Sequence, residues 1–166
     1  MLFSGLPFLY YFLPAVLVCY FAAPRKLKNA VLFVFSLIFY GWGEPRYIVL
    51  MIVSIFSGFV FALMIEKKQN KKSGFILMWI SVAVSLSFLL IFKYADFLIE
   101  NVNQLPGVSL PLSKLSLPIG ISFYTFQIIS YTVDVWRGDT KAQRNIISFG
   151  TYVSLFPQLI AGPIVR

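Results

Sequence analysis

The chain alternates long apolar runs with short polar breaks, and the runs show neither the one-sided stripe of a soluble helix nor the every-other pattern of a strand. Residues 3–23, FSGLPFLYYFLPAVLVCYFAA, make a first run of the length that crosses about 30 Å of hydrocarbon at about 1.5 Å per residue. Pro14 is expected to kink it. The second run, 27–42, is short for a span and needs Lys28 reaching outward at one end and Trp42 seated in the interface at the other. WGEPR then forms a turn, with Glu44 held out of the α region by the proline after it and Pro45 suited to the first position of the next helix. The third run, 47–65, ends in the solvated loop EKKQNKKSG, and its Ser54 and Gly58 give one small-residue face for close helix contact. The fourth run, 75–92, crosses back, KYADFLIENVNQ can prolong it as helix, and Lys93 and Asp96 are spaced to pair.

These runs predict an all-α protein, a polytopic transmembrane helix bundle of about six membrane segments. Residues 1–100 hold four scaffold helices, 101–117 form an external loop with Pro106, Gly107 and Pro111, and 118–166 carry polar residues at membrane depth. No fixed-period repeat occurs. If 118–136 are helical, Tyr124, Gln127, Tyr131 and Asp134 share one face as a polar stripe. Two readings stay open. In one, Asp134 and Arg137 pair locally at an interfacial helix end; in the other, the stripe faces a partly hydrated cavity, because lipid would leave Gln127 and the tyrosine hydroxyls unsatisfied. The last segment, FPQLIAGPIVR, contains Pro157, Gly162 and Pro163, so it is expected to be proline-broken or re-entrant, with Gln158 and Arg166 gaining a role if the kink borders a tunnel.

Composition agrees with the runs: 59% of residues are hydrophobic and 12% charged, against roughly 25% charged in soluble domains. The net charge of +8 could suggest nucleic-acid binding, but position explains it better. Arg25, Lys26 and Lys28 follow the first run, Lys67, Lys68, Lys71 and Lys72 the third, and Arg137, Lys141 and Arg144 the fifth, whereas the intervening loops hold only Arg46, Lys93 and Lys114. That alternation puts the basic loops in the cytoplasm, the N-terminus outside, and anionic lipid against the basic loops. A cleaved signal peptide would carry its cations before the apolar run, and here they follow it. Cys19 is the only cysteine and histidine is absent, so an internal disulfide, a thiol metal cluster and the commonest general base are excluded within these residues, and no metal site is expected.

FYGWGEPRY, LPIGISFYTFQIISYTVDVWRG and FPQLIAGPIVR, in this order and spacing, resemble the N-terminal part of the membrane-bound O-acyltransferases, in the bacterial branch that modifies alginate and teichoic acid. The resemblance covers the chain from about Leu27 onward. It implies helices around a tunnel, a cytoplasmic acyl donor (acyl-CoA or an acyl carrier) used as substrate with no bound cofactor, and a polysaccharide acceptor outside the bacterial inner membrane. It also implies partner proteins of an export or acetylation complex, and a catalytic histidine that lies beyond AGPIVR. The chain alone is then expected to be inactive, with no catalytic residue of its own. Gln127, Asp134, Arg137, Gln158 and Arg166 become candidates for lining or supporting the tunnel. A non-catalytic membrane subunit or permease-like element is the alternative.

Overall fold

The computed structural model describes residues 6–43, 45–69, 71–103 and 120–161, and among these every regular element is helical. A π-helical turn at Phe8–Phe12 leads into α1 (Leu13–Ala22). Then come α2 (Lys28–Gly43), a 3₁₀ turn at Pro45–Tyr47, α3 (Ile48–Lys67), α4 (Lys72–Asn103), α5 (Ile121–Arg137), α6 (Ile146–Ser154) and α7 (Phe156–Ala161). Expectations for Glu44, for most of the 101–117 loop, for Gly162, Pro163 and Arg166, and for the Asp96 side chain lie outside the described residues.

Local chemistry explains the breaks. The widened turn, in which the Leu13 N–H reaches the Phe8 carbonyl, directly precedes Pro14, whose ring a regular turn would push against a carbonyl. Pro45 opens the 3₁₀ turn at the start of the third run. KYADFLIENVNQ does prolong the fourth helix, as far as Asn103.

Among the described residues two helices are long and apolar enough to cross a membrane, Pro45–Lys67 and Lys72–Tyr94, each of 23 residues. The expected six or so membrane segments are not confirmed. Phe8–Ala22, Lys28–Gly43 and Ile146–Leu159 are apolar but shorter; the second matches the short run 27–42, and the third is broken at Leu155, just before Pro157. Only 33% and 22% of the two long windows are buried, which sets them apart from core helices of a soluble protein. Val49, Ile52 and Phe56 on α3 and Phe75, Ile76 and Trp79 on α4 are exposed, a surface of the kind that lipid covers.

Inside, α5 lies against α3 and α4, and α6 lies against α2 and α3. Their shared core is Met51, Ile55, Leu89, Tyr124, Ile128, Phe149 and Val153. Gly58 makes the α3–α5 approach possible: a Cβ there would stand 2.7 Å from Ile128 Cγ2, so the small-residue face is used. A second cluster, Phe8, Val16, Phe39 and Phe156, holds the N-terminal helix to α2 and α7. Contacts among the loops around 23–28, 67–72 and 138–145 gather them at one end, where Gln69 donates to the Val135 carbonyl at 3.2 Å. Asn29 there donates to Ser148 Oγ at 3.0 Å, and Glu66 pairs with Arg144. Lys28 lies over the Tyr20 ring, 4.7 Å from its centre, at this same basic end.

Candidate functional site

The polar stripe of α5 divides into two halves with different partners. Tyr124, towards the end away from the basic loops, is fully buried in the core with Ile121 and Ile128. Gln127 donates from Nε2 to the Tyr152 carbonyl at 2.8 Å. That carbonyl is one of the last four of α6, which ends at Ser154 and leaves them without intrahelical donors. After the break at Leu155 the chain re-enters helix, Pro157 sits in the first turn of α7 where its missing N–H costs no bond, and the Leu155 carbonyl accepts from Gln158 and Leu159 N–H. Gln158 is half-buried on this short helix. Gln127 and the break at Leu155 are thus two sides of one arrangement.

The other half, Tyr131 and Asp134, faces a cavity of about 360 Å³ at the basic end. Ser130, Tyr131 and Asp134 supply one wall from α5, Ser148, Phe149 and Tyr152 the opposite wall from α6, and Thr140, Lys141 and Gln143 the floor. The Tyr131 ring stands 4.9 Å from Phe149 and 6.3 Å from Tyr152, so the α6 side is aromatic.

The floor is a loop held by side chains at both ends. Gly138, at φ 87°, closes α5: its N–H and that of Asp139 both reach the Asp134 carbonyl. A Cβ there would meet Gln69 Nε2 at 2.6 Å, and that amide donates to the Val135 carbonyl at 3.2 Å. Glu66, from the end of α3, accepts from Ala142 N–H at 3.0 Å with one oxygen and pairs with Arg144 through the other. Gln143 N–H donates to the Tyr131 hydroxyl at 2.7 Å, and Gln143 Oε1 accepts from Arg144 N–H and Asn145 N–H. Asn145 then caps α6, accepting from Ile147 and Ser148 N–H at 2.9 and 3.3 Å.

These bonds decide what the cavity offers. Tyr131 accepts from the loop, which leaves its O–H to donate, and Ser148 accepts from Asn29 in the same way. With the Lys141 ammonium they make a set of donors suited to a ligand rich in acceptor oxygens, and Asp134 is the acceptor among them. Asp134 and Arg137 also border a second hollow with Ser130, Val133 and Asp139, yet they form no ion pair; among the described residues the ion pair is Glu66–Arg144. Of the candidates named from sequence, the cavity therefore gathers Asp134, the second hollow adds Arg137, and Gln127 and Gln158 stand at the helix break. Glu66, Asn29 and Gln143 were missed. One signal was available for Glu66, the only acid in an otherwise basic run from 66 to 72. Among the described residues no group of histidine, cysteine or acidic side chains could hold a metal ion.

No family model and no solved structure matches the chain. Among curated proteins it is similar to the probable alginate O-acetylase of Pseudomonas syringae pv. tomato, 38% identical over 171 residues that cover 100% of this chain and 33% of the relative. The probable alginate O-acetylase of Azotobacter vinelandii is 37% identical over 171 residues, again 100% of this chain and 34% of the relative. The peptidoglycan O-acetyltransferase of Helicobacter pylori is 29% identical over 195 residues, 100% of this chain and 37% of the relative. The chain spans about a third of the length of the curated relatives it matches. These likenesses bear out the resemblance carried by the three sequence motifs.

Proposed function

We propose, from the premise that the chain is similar over its whole length to bacterial polysaccharide O-acetylases, that it forms part of a membrane O-acetyltransferase acting on hydroxyls of an exported or cell-wall polysaccharide. The observation that carries this reading is the similarity to two differently named O-acetyltransferases over all of the chain. In the transfer, an acceptor hydroxyl oxygen bonds to the acetyl carbonyl carbon and a base takes the hydroxyl proton. The donor's leaving atom departs with the electron pair of the bond that breaks.

The 166 residues contain no histidine, so we assign the base to residues outside them and expect no transfer by these residues alone. Their share is binding. With the basic loops in the cytoplasm and the N-terminus outside the bacterial inner membrane, the cavity between α5 and α6 opens on the side where the acetyl donor is made. Its hydroxyl and ammonium donors match an oxygen-rich donor molecule, whether a coenzyme A thioester or an acyl carrier. Partner proteins of an export complex would present the acceptor from the other side.

The test is ester-bound acetate, released by mild alkali from purified exopolysaccharide and from peptidoglycan, in cells with and without the gene. Loss from one fraction, restored by the whole gene and not by codons 1–166, supports the reading. Unchanged acetate in both fractions refutes it.

A further inference from the structure

A third hollow at the basic end is distinct from the cavity between α5 and α6 and from the hollow that Asp134 borders with Arg137. Lys71, Lys72, Phe75, Trp136 and Arg137 line a space of about 540 Å³ where the start of α4 meets the end of α5. The three cations are exposed and no carboxylate is in the lining. Glu66, the nearest acid in sequence to the lysines, is engaged with Arg144 and Ala142. Asp134 and Asp139 border Arg137 on its other side, without an ion pair to it. The lysines also stand at the N-terminus of α4, where the helix dipole adds partial positive charge.

The apolar half of the hollow identifies the anion's source. Phe75 and Trp136 have ring centres 5.6 Å apart, and Phe75 continues to Trp79 at 6.1 Å. From there the exposed side chains of Phe75, Ile76, Trp79 and Ile80 run along α4, a helix long and apolar enough to cross a membrane. A free phosphate would use the cations and leave that surface uncovered. A phospholipid uses both, with its headgroup on the cations, the aromatic rings at the interfacial level and its acyl chains along α4.

We propose that Lys71, Lys72 and Arg137 form a headgroup site for one anionic phospholipid, with Phe75, Trp136 and Trp79 as its interfacial wall. The site holds lipid at the junction of α4 and α5, next to the loop that floors the cavity.

Native mass spectrometry of the protein, titrated with phosphatidylglycerol or with phosphatidylcholine, tests this. Each cation near the surface is worth about five-fold in binding an anionic lipid, so Lys71→Gln/Lys72→Gln/Arg137→Gln is expected to weaken the first phosphatidylglycerol by roughly 100-fold and leave phosphatidylcholine unchanged. Arg25→Gln/Lys26→Gln/Lys68→Gln removes the same charge elsewhere at the basic end and should leave that first binding step in place. Equal losses in the two triple variants, or none in the first, overturn the site. Displacement of the first phosphatidylglycerol by millimolar inorganic phosphate overturns its assignment to lipid. The three side chains are exposed, and the single variants Lys71→Gln and Lys72→Gln carry the test if the triple variant does not fold.

Discussion

Glu66→Ala separates two interactions that meet on one carboxylate. The ion pair with Arg144 is the more conspicuous, but the Arg144 side chain is 68% exposed, and pairs of that kind contribute about 0–1 kcal/mol. Ala142, whose N–H the other oxygen accepts at 3.0 Å, is only 4% exposed. An amide left without its acceptor there costs about 1–3 kcal/mol. The backbone bond, not the salt bridge, should therefore dominate. In hydrogen exchange of the segment 138–145, measured by mass spectrometry in detergent, Glu66→Ala is expected to speed exchange at Ala142 by roughly 10- to 100-fold. Arg144→Ala is expected to change it by no more than about five-fold. Glu66→Gln keeps a carbonyl oxygen for the amide and should fall near Arg144→Ala. The reasoning fails if Arg144→Ala matches Glu66→Ala, or if Ala142 stays protected without Glu66.

Three further substitutions probe how the helices around the cavity are set. Gly58→Ala drives a methyl to 2.7 Å from Ile128 Cγ2, a stiff β-branched group, and should cost about 1–3 kcal/mol in thermal stability; Ile128→Ala removes the opposing methyl, so the double variant should lose less than the sum of the singles. Asn145→Ala removes the acceptor for Ile147 and Ser148 N–H and should cost about 1 kcal/mol, read as faster exchange confined to the first turn of α6.

Much of this architecture could be read from local pattern. Apolar runs gave the helices, Pro45 marked a helix start, Gly58 marked a close contact, and alternating cations anticipated the gathering of three loops at one end. Span number was less legible: among the described residues two helices reach a spanning length, and the break at Leu155 divides the last apolar stretch, so about six is not confirmed. The cavity floor was not legible at all. Glu66 reaches partners 76 and 78 residues on, and its place as the acid of a basic run marks it without saying which distant loop it clamps. Gln143 shows the same limit, because its worth lies in accepting two N–H groups while its own N–H reaches Tyr131.

The stripe on α5 shows why polarity at membrane depth is an ambiguous signal. Gln127 and Asp134 look alike in sequence, two polar groups on one helical face, each costly in lipid. The fold gives them opposite tasks. Gln127 is needed because α6 stops at Ser154 and leaves the Tyr152 carbonyl without a helical donor, so the glutamine and the break stabilise one another. That task is complete without any ligand. Asp134, two turns further towards the basic end, has no ion pair among the described residues and lines the cavity and the hollow beside it, while Tyr131 keeps a proton to donate. A polar residue that pairs a stranded backbone carbonyl already has a task in folding, whereas one that faces open volume keeps its bonding capacity for something else. On that criterion the half of α5 from Ser130 to Arg137, with the loop that Glu66 ties beneath it, is the part of the helix that keeps its polar groups turned to open volume.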